Sequence, residues 1–240
     1  MAMRDQIARR ITTGELLPGA RLPSERQMQD GAGIARGTIR EALFQLEAEG
    51  LIYRRDRSGW YVCSAPVVYD PTRWAGFMTY VAEQGRRPQT RTLSTAETPL
   101  GEAARHVGVH PEDPVYLIIR RRLIDDRPVL VERIMVNPAL APGLFQHSLD
   151  GSLTQILRTV YGVEVVRNQV DMRPCALVGA EATALEAKPG TPGLKVVRSS
   201  FDAAGRVVEY DEEYWRHDAV RIHVDIEVAP EVQARVSAAP

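Results

Sequence analysis

Apolar residues near the start of the chain recur at helical spacing in two blocks. Ile7 and Ile11 lie four residues apart, and a longer stripe of apolar residues begins at Ile39. Apolar positions that repeat every three or four residues predict helices with one buried face. The pattern therefore predicts a helix over residues 5–13 and another that ends at Gly50, a residue type typical of the position after a helix C-terminus.

Polar residues between these blocks predict one more helix and, after the last helix, a hairpin. Ser24 and Gln27 have the spacing of a capping box, which starts a short helix that stops around residues 31–33. Two helices separated by a glycine-containing turn predict a helix-turn-helix. The segments LIYRRD and WYVCS, on either side of residues 57–59, predict a β-hairpin, or wing.

Beyond residue 65 the spacing of apolar positions changes from helical to mainly alternating. Residues 66–73 (PVVYDPTR) predict a proline-containing linker, and VYLIIRRRLI and PVLVERIMV predict two strands joined at a tight turn. Further strands are expected near 163–172, 194–202, 206–215 and 220–228, with helices near 77–84, 152–161 and 177–187. The pattern predicts an α+β domain with a mostly antiparallel sheet, followed by a loose tail over residues 229–240.

Composition narrows the class of protein. The 240 residues carry a net charge of −1, while residues 1–65 carry ten arginines and eight acids. Cys63 and Cys175 are the two cysteines, and the five histidines are scattered. No signal peptide or membrane span is apparent, so a cytoplasmic protein is expected, without disulfides, bound metal or cofactor. Because no catalytic motif is present either, the sequence does not favour an enzyme.

The start of the third predicted helix carries residues suited to DNA. Arg36, Thr38 and Arg40 lie opposite the buried stripe, and arginine pairs bidentately with guanine while a helix start attracts phosphate. The alternative is a small helical bundle with a solvated arginine face, which the neighbouring wing and capping box disfavour.

Three consecutive arginines interrupt an otherwise apolar strand. Strand alternation places Arg120 and Arg122 on one face and Arg121 on the other. Two guanidinium groups side by side suit an anion with several oxygens, and Ser152, at the start of a predicted helix with Gln155 completing a capping box, could add a hydroxyl. A solvated strand face paired with acids, and a serine that only caps its helix, are the alternatives.

The run PSERQMQDGAGIARGTIREALFQLEAEGLI, followed by SGWYV, resembles the winged helix of the GntR family. The resemblance implies a DNA-binding domain over residues 1–65. It also implies DNA contacts, made by Arg26, Arg36, Thr38, Arg40, Ser58 and Gly59. Arg57 replaces the first glycine of the usual wing motif, and the likeness starts late in the family's first helix, so a few preceding residues are expected to be missing.

The order of the R-x-R strand, the hairpin, the G-S-L helix and a late E-Y…Y-W-R-H-D segment resembles the UTRA effector domain of the HutC subfamily. The resemblance implies a chorismate lyase-like fold over residues 75–228, with residues 66–74 as linker. It implies effector contacts from Phe77, Met78, Arg120, Arg122, Glu132, Ser152, Glu209 and Trp215. Thr154 and Trp215 depart from an aromatic residue and a tyrosine that are common in the subfamily.

Several segments, among them RSGWYV, LDGSLTQIL and EYWRHDAVRIHVD, resemble regulators of 2-aminoethylphosphonate utilisation. Arginines and Ser152 would suit the phosphonate, and Glu132, Glu209 or Asp211 the ammonium. A sugar phosphate or urocanate as effector, and a lyase-like enzyme, stay open as alternatives. One winged helix per chain leads us to expect a homodimer on operator DNA.

Overall fold

The computed structural model describes residues 3–55, 58–73 and 75–226. The helices are α1 (Met3–Thr12), α2 (Glu25–Ala32), α3 (Arg36–Ala48), α4 (Phe77–Glu83), α5 (Leu153–Tyr161) and α6 (Gly179–Ala184). The strands are β1 (Ile52–Arg55), β2 (Gly59–Val62), β3 (Val67–Tyr69), β4 (Pro88–Pro99), β5 (Pro114–Ile124), β6 (Arg127–Val136), β7 (Arg167–Leu177), β8 (Thr191–Phe201), β9 (Val207–Arg216) and β10 (Val220–Ile222). Two 3-10 helices span Gly101–Val107 and Leu144–Gln146.

Residues 3–55 and 58–62 form the predicted winged helix-turn-helix. Helix α2 begins with a complete capping box between Ser24 and Gln27 and ends at Gly33, whose φ of 64° is left-handed and suits glycine. Helix α3 buries Ile39 and Leu43 completely, as its apolar stripe predicts. Strands β1 and β2 pair antiparallel as the wing, while Arg57 lies outside the described residues.

The second unit is built on a six-stranded sheet in the order β4-β5-β6-β9-β8-β7, in which every neighbouring pair is antiparallel. The predicted α+β class is confirmed. Asp125 and Asp126, both with positive φ, close the tight turn between β5 and β6. Ser152 caps α5 by accepting a hydrogen bond from the amide of Gln155, but the reciprocal bond of the predicted capping box is not found.

Two strands depart from the expected pattern. The predicted linker contains β3, which pairs in parallel with β10, so the two ends of the second unit meet. Strand β4 was not expected because its exposed face is polar, as is typical of a strand at the edge of a sheet. Of the strand predicted over 220–228, the structure has only Val220–Ile222, and residues 227–240, including the predicted tail, lie outside the described residues.

The turn after β9 joins the two units. The carboxylate of Asp218 is fully buried and accepts hydrogen bonds from Arg127 at 2.5 Å and from the thiol of Cys63 at 3.4 Å. Next to it, His217 has Nε2 3.0 Å from the carbonyl oxygen of Glu47 in the last turn of α3. The helix predicted to meet DNA is therefore in direct contact with the turn that follows β9, a strand in the middle of the sheet.

Candidate functional site

The start of α3 presents a basic surface. The side chains of Arg36 and Arg40 are 69% and 53% exposed, and Thr38 is exposed beside them. No side chain caps the first turn of α3, so backbone amides are free at its N-terminus. Glu25 lies between the two arginines, with Oε2 3.7 Å from Nε of Arg36 and 3.6 Å from Nε of Arg40. Its carboxylate therefore lies within ion-pair distance of both guanidinium groups.

The other predicted DNA contacts flank this surface. The side chain of Arg26 is 90% exposed and only loosely paired with Asp30, at 3.9 Å. In the wing, the hydroxyl of Ser58 lies 2.5 Å from that of Tyr61, and Gly59 adopts a φ of 104°, which favours glycine. Whether these residues touch DNA stays a prediction.

A cavity of about 520 Å³ lies over one face of the sheet in the second unit. Its floor is formed by β5, β6, β8 and β9, and its walls by the start of α4 and by the segment from the start of α5 to residue 165. The volume lies within the usual range for small-molecule sites. Most of the predicted effector residues line it, namely Phe77, Met78, Arg120, Arg122, Glu132, Ser152 and Glu209.

The arginine pair faces this cavity, as strand alternation predicts, and Arg121 points to the opposite face, where it donates to the carbonyl of Ala184. Glu132 is paired with both cavity arginines through one oxygen, Oε1. Although burial favours the neutral acid, Arg120 and Arg122 hold the pKa of Glu132 below its ordinary value. Glu132 is thus already the counter-ion of the arginines, which favours Glu209 or Asp211 among the three candidates for a ligand ammonium, and that contact stays a prediction.

The two arginines have different environments. Arg120 also donates from Nη1 to the carbonyls of Leu149, at 3.0 Å, and Gly151, at 3.2 Å, and so holds the loop before α5. Arg122 donates to the hydroxyl of Thr90 at 2.8 Å, and its guanidinium lies 5.0 Å from the centre of the Phe77 ring. Arg120 is largely occupied by the framework, which leaves Arg122 as the better placed of the two to meet an anion.

Trp215 does not line the cavity. It is 1% exposed, its ring centre lies 6.0 Å from that of Phe77, and Nε1 donates to Glu213 at 2.8 Å. The side chain lies under the cavity wall, where it packs against Phe77 and orients Glu213. Its predicted effector contact is therefore replaced by a supporting position.

A second charged group crosses the floor on β8 and β9. Arg198 donates at 2.8 Å both to Glu213 and to the hydroxyl of Tyr69. Glu209 and Asp211 follow on the same face of β9, where both are buried and line the cavity. Burial raises the pKa of both acids, well above the ordinary value for Asp211, whose neighbours Glu209 and Glu132 add to the effect.

Arg198 and Glu25 were missed at the sequence level. Alternation along β8 places Val196, Arg198 and Ser200 on one face, so the sequence held a signal for Arg198. Glu25 gave no such signal, because its partners come from another helix. Among the described residues, no group of three or more His, Cys, Asp or Glu side chains could hold a metal, and no helix is long and apolar enough to cross a membrane.

Comparison with known proteins places these two units. Residues 2–62 match the family of bacterial regulatory proteins called GntR, and residues 83–221 match the UTRA domain. The chain is 31% identical to the transcriptional regulator YihL of Escherichia coli over 229 residues, covering 93% of this chain and 95% of YihL. It is 26% identical to the mannosyl-D-glycerate transport/metabolism system repressor MngR of Escherichia coli, covering 89% of this chain and 90% of MngR.

Among solved structures, PhnF from Mycobacterium smegmatis superposes with a TM-score of 0.67 over 94% of this chain and 99% of PhnF. At 22% identity this likeness concerns the fold alone. The chain is thus a member of the GntR family of bacterial transcriptional regulators, in which a winged helix-turn-helix is followed by the UTRA domain of the HutC subfamily.

Proposed function

We propose that this regulator binds 2-aminoethylphosphonate in its cavity and controls genes for phosphonate utilisation. The observation that carries the proposal is that one cavity is lined both by an arginine suited to an anion and by two buried carboxyl groups suited to an ammonium. Arg122 and the start of α5 offer positive potential at one side, and Glu209 and Asp211 offer two carboxyl groups on β9. A small zwitterion with an anion at one end and an ammonium at the other matches both.

The DNA-binding part of the proposal rests on the surface at the start of α3. Arg26, Arg36, Thr38 and Arg40 are exposed on one unit with the wing residues Ser58 and Gly59. We expect a homodimer that places two such surfaces on a two-fold operator. Operator and effector would then influence each other through the contacts of the turn after β9 with the winged helix.

An anionic sugar derivative is the second candidate effector. The cavity of about 520 Å³ has room for a ligand larger than an aminophosphonate. MngR, a relative over most of its length, is by name a repressor of a mannosyl-D-glycerate system. Such a ligand would use the same arginines for its anion and the carboxyl groups for sugar hydroxyls.

A thermal-shift titration distinguishes these candidates, because a ligand that binds only the folded protein raises its melting temperature by mass action. The ligands are 2-aminoethylphosphonate, ethylphosphonate and mannosyl-D-glycerate, each over the same concentrations. We expect the aminophosphonate to stabilise the protein at the lowest concentration. If mannosyl-D-glycerate stabilised the protein at a far lower concentration than 2-aminoethylphosphonate does, the aminophosphonate would be the wrong effector. The second candidate would then replace it.

A further inference from the structure

The four carboxyl groups on the cavity floor do not have equal numbers of cationic partners. Glu132 is bonded to Arg120 and Arg122, and Glu213 is bonded to Arg198. These three cations and two carboxylates leave a single positive charge. One further ionised carboxylate neutralises it, but Glu209 and Asp211 offer two.

The position of this acid pair favours one protonated carboxyl group. Glu209 and Asp211 are two residues apart on the cavity face of β9, and both are buried. Two like charges at such neighbouring buried positions disfavour each other's ionisation, so we expect the pair to retain one proton. Asp211 Oδ1 has no hydrogen-bond partner among the described residues. A buried carboxylate without a partner is far more costly than a neutral acid at the same position.

The groups that face the pair do not remove the need for this proton. Arg120 on β5 and Arg198 on β8 are the nearby cations, and each already has a carboxylate partner. Glu132 on β6 and Glu213 on β9 oppose a second ionisation. The remaining titratable groups around the cavity are Tyr69, Arg73, Tyr80, Arg122, Arg158 and Glu164.

We infer that Glu209 and Asp211 share one proton in the ligand-free protein and release it to solvent when an organic ammonium binds between them. The ammonium keeps its own protons and takes the place of the released one as the counter-charge of the pair. This inference rests on the proposed function for the position of the amine. A ligand without an amine would leave the proton in place, so the exchange is expected only with amine-bearing anions.

The shared proton is first tested without any ligand. At neutral pH the infrared spectrum of the wild-type protein should contain the carbonyl band of a protonated carboxylic acid, which disappears as the pH is raised. Asp211→Asn and Glu209→Gln should both lack the band, and Asp171→Asn, on β7, should keep it. Absence of the band from the wild-type protein would overturn the inference, whether or not a phosphonate binds.

Proton release is then measured by calorimetry in two buffers of different ionisation enthalpy at one pH. With 2-aminoethylphosphonate, the wild-type protein should release about one proton more than Asp211→Asn does, because any proton lost by the phosphonate itself is common to both. With ethylphosphonate this difference should vanish. If both proteins released equal numbers of protons on binding the aminophosphonate, the inference would be wrong, but the proposed effector would still be correct.

If the aminophosphonate did not bind, both the proposed effector and the replacement of the shared proton by its ammonium would be wrong. The infrared band would then decide on the shared proton alone. Glu209→Gln provides a second variant if Asp211→Asn does not fold. Glu209→Gln should weaken binding of the aminophosphonate and leave binding of ethylphosphonate unchanged, because only the ammonium of the zwitterion needs the negative charge of the carboxylate.

Discussion

At the scale of single residues, Arg36 and Arg40 should carry sequence-specific affinity for DNA. Alanine at either position is expected to weaken specific operator binding by about 1–3 kcal/mol, the usual value of a bidentate base contact. Folding should be nearly unchanged, because both side chains are more than half exposed. Fluorescence anisotropy with a selected operator and a scrambled duplex measures the effect.

Arg105→Ala is the matched control for this experiment, since Arg105 is a similarly exposed arginine in the other unit. Its operator affinity should equal that of the wild-type protein. If Arg36→Ala and Arg40→Ala also bind the operator as the wild-type protein does, the assignment of α3 as the recognition helix is wrong.

Arg122 and Arg121 offer a comparison within one strand. Arg122→Ala should weaken effector binding by about 2–5 kcal/mol, as for a buried charged contact that loses its partner. Arg121→Ala removes an equal charge from the opposite face of β5 and should leave effector affinity unchanged. Calorimetry with 2-aminoethylphosphonate measures both variants. If Arg122→Ala bound the effector with unchanged affinity, the arginines on this face of β5 would serve the structure of the sheet and not the binding of an anion.

At the scale of elements, α5 depends on Ser152 for its N-cap and offers the same end to an anion. Aspartate caps a helix as well as serine does, whereas alanine costs about 0.5–2 kcal/mol. Ser152→Asp should therefore keep the thermal stability of the protein but weaken binding of an anionic effector by repulsion. Ser152→Ala should lower stability.

The corresponding control is Ser24→Asp at the cap of α2, which lies in the other unit and should leave effector affinity unchanged. Melting temperature and effector affinity are measured for all three variants. Effector binding by Ser152→Asp at wild-type strength would place the anion away from the start of α5.

At the scale of the whole molecule, Asp218 makes the free energy of unfolding depend on pH in the acid range. Its burial opposes ionisation, but Arg127 and Arg216 outweigh burial and lower its pKa from 3.8 to about 2. A carboxylate whose pKa is lower in the folded state stabilises that state at any pH above the pKa of the unfolded chain. This contribution is lost as the pH falls towards the pKa of the folded state. The contribution of about 2 kcal/mol should be present above pH 4 and disappear between about pH 4 and 2.

Urea unfolding of the wild-type protein and of Asp218→Asn, measured from pH 7 to pH 2.5, isolates this contribution from other acids. The difference in the free energy of unfolding between the two proteins should be constant near neutral pH and shrink by about 2 kcal/mol in the acid range. A constant difference at all pH values would contradict the assigned pKa.

The contacts at the turn after β9 lead to a prediction about regulation. Effector and operator should change each other's affinity by one factor, typically about 5–150-fold, because coupling free energy is reciprocal. His217→Ala removes the contact to Glu47 and should reduce that factor while each ligand alone binds nearly as before. His110→Ala, at an exposed position in the effector domain, is the control.

Anisotropy titrations of operator with and without saturating 2-aminoethylphosphonate give the factor for each protein. Identical titrations of the wild-type protein with and without an effector that is known to bind would show that the two units are not coupled. An unchanged factor in His217→Ala would place the coupling elsewhere.

The sequence by itself determined the features that depend on near neighbours along the chain. Helical spacing predicted α3 and the buried position of Ile39, and strand alternation separated Arg121 from Arg120 and Arg122. A capping box is likewise a contact over three residues, so Ser24 and Gln27 predicted the start of α2. These interactions are local, and their geometry follows from the periods of the helix and the strand.

Only the tertiary structure decided which distant side chains share a partner. Glu132 is the counter-ion of two arginines, and Trp215 lies beneath the cavity wall. Arg198 contributes to the cavity floor although it lies 78 residues beyond Arg120 in the sequence. The polar edge strand β4 and the buried carboxylate of Asp218 also had no local signal. Burial and long-range pairing set the energy of a charge, and both depend on residues that no window of sequence contains.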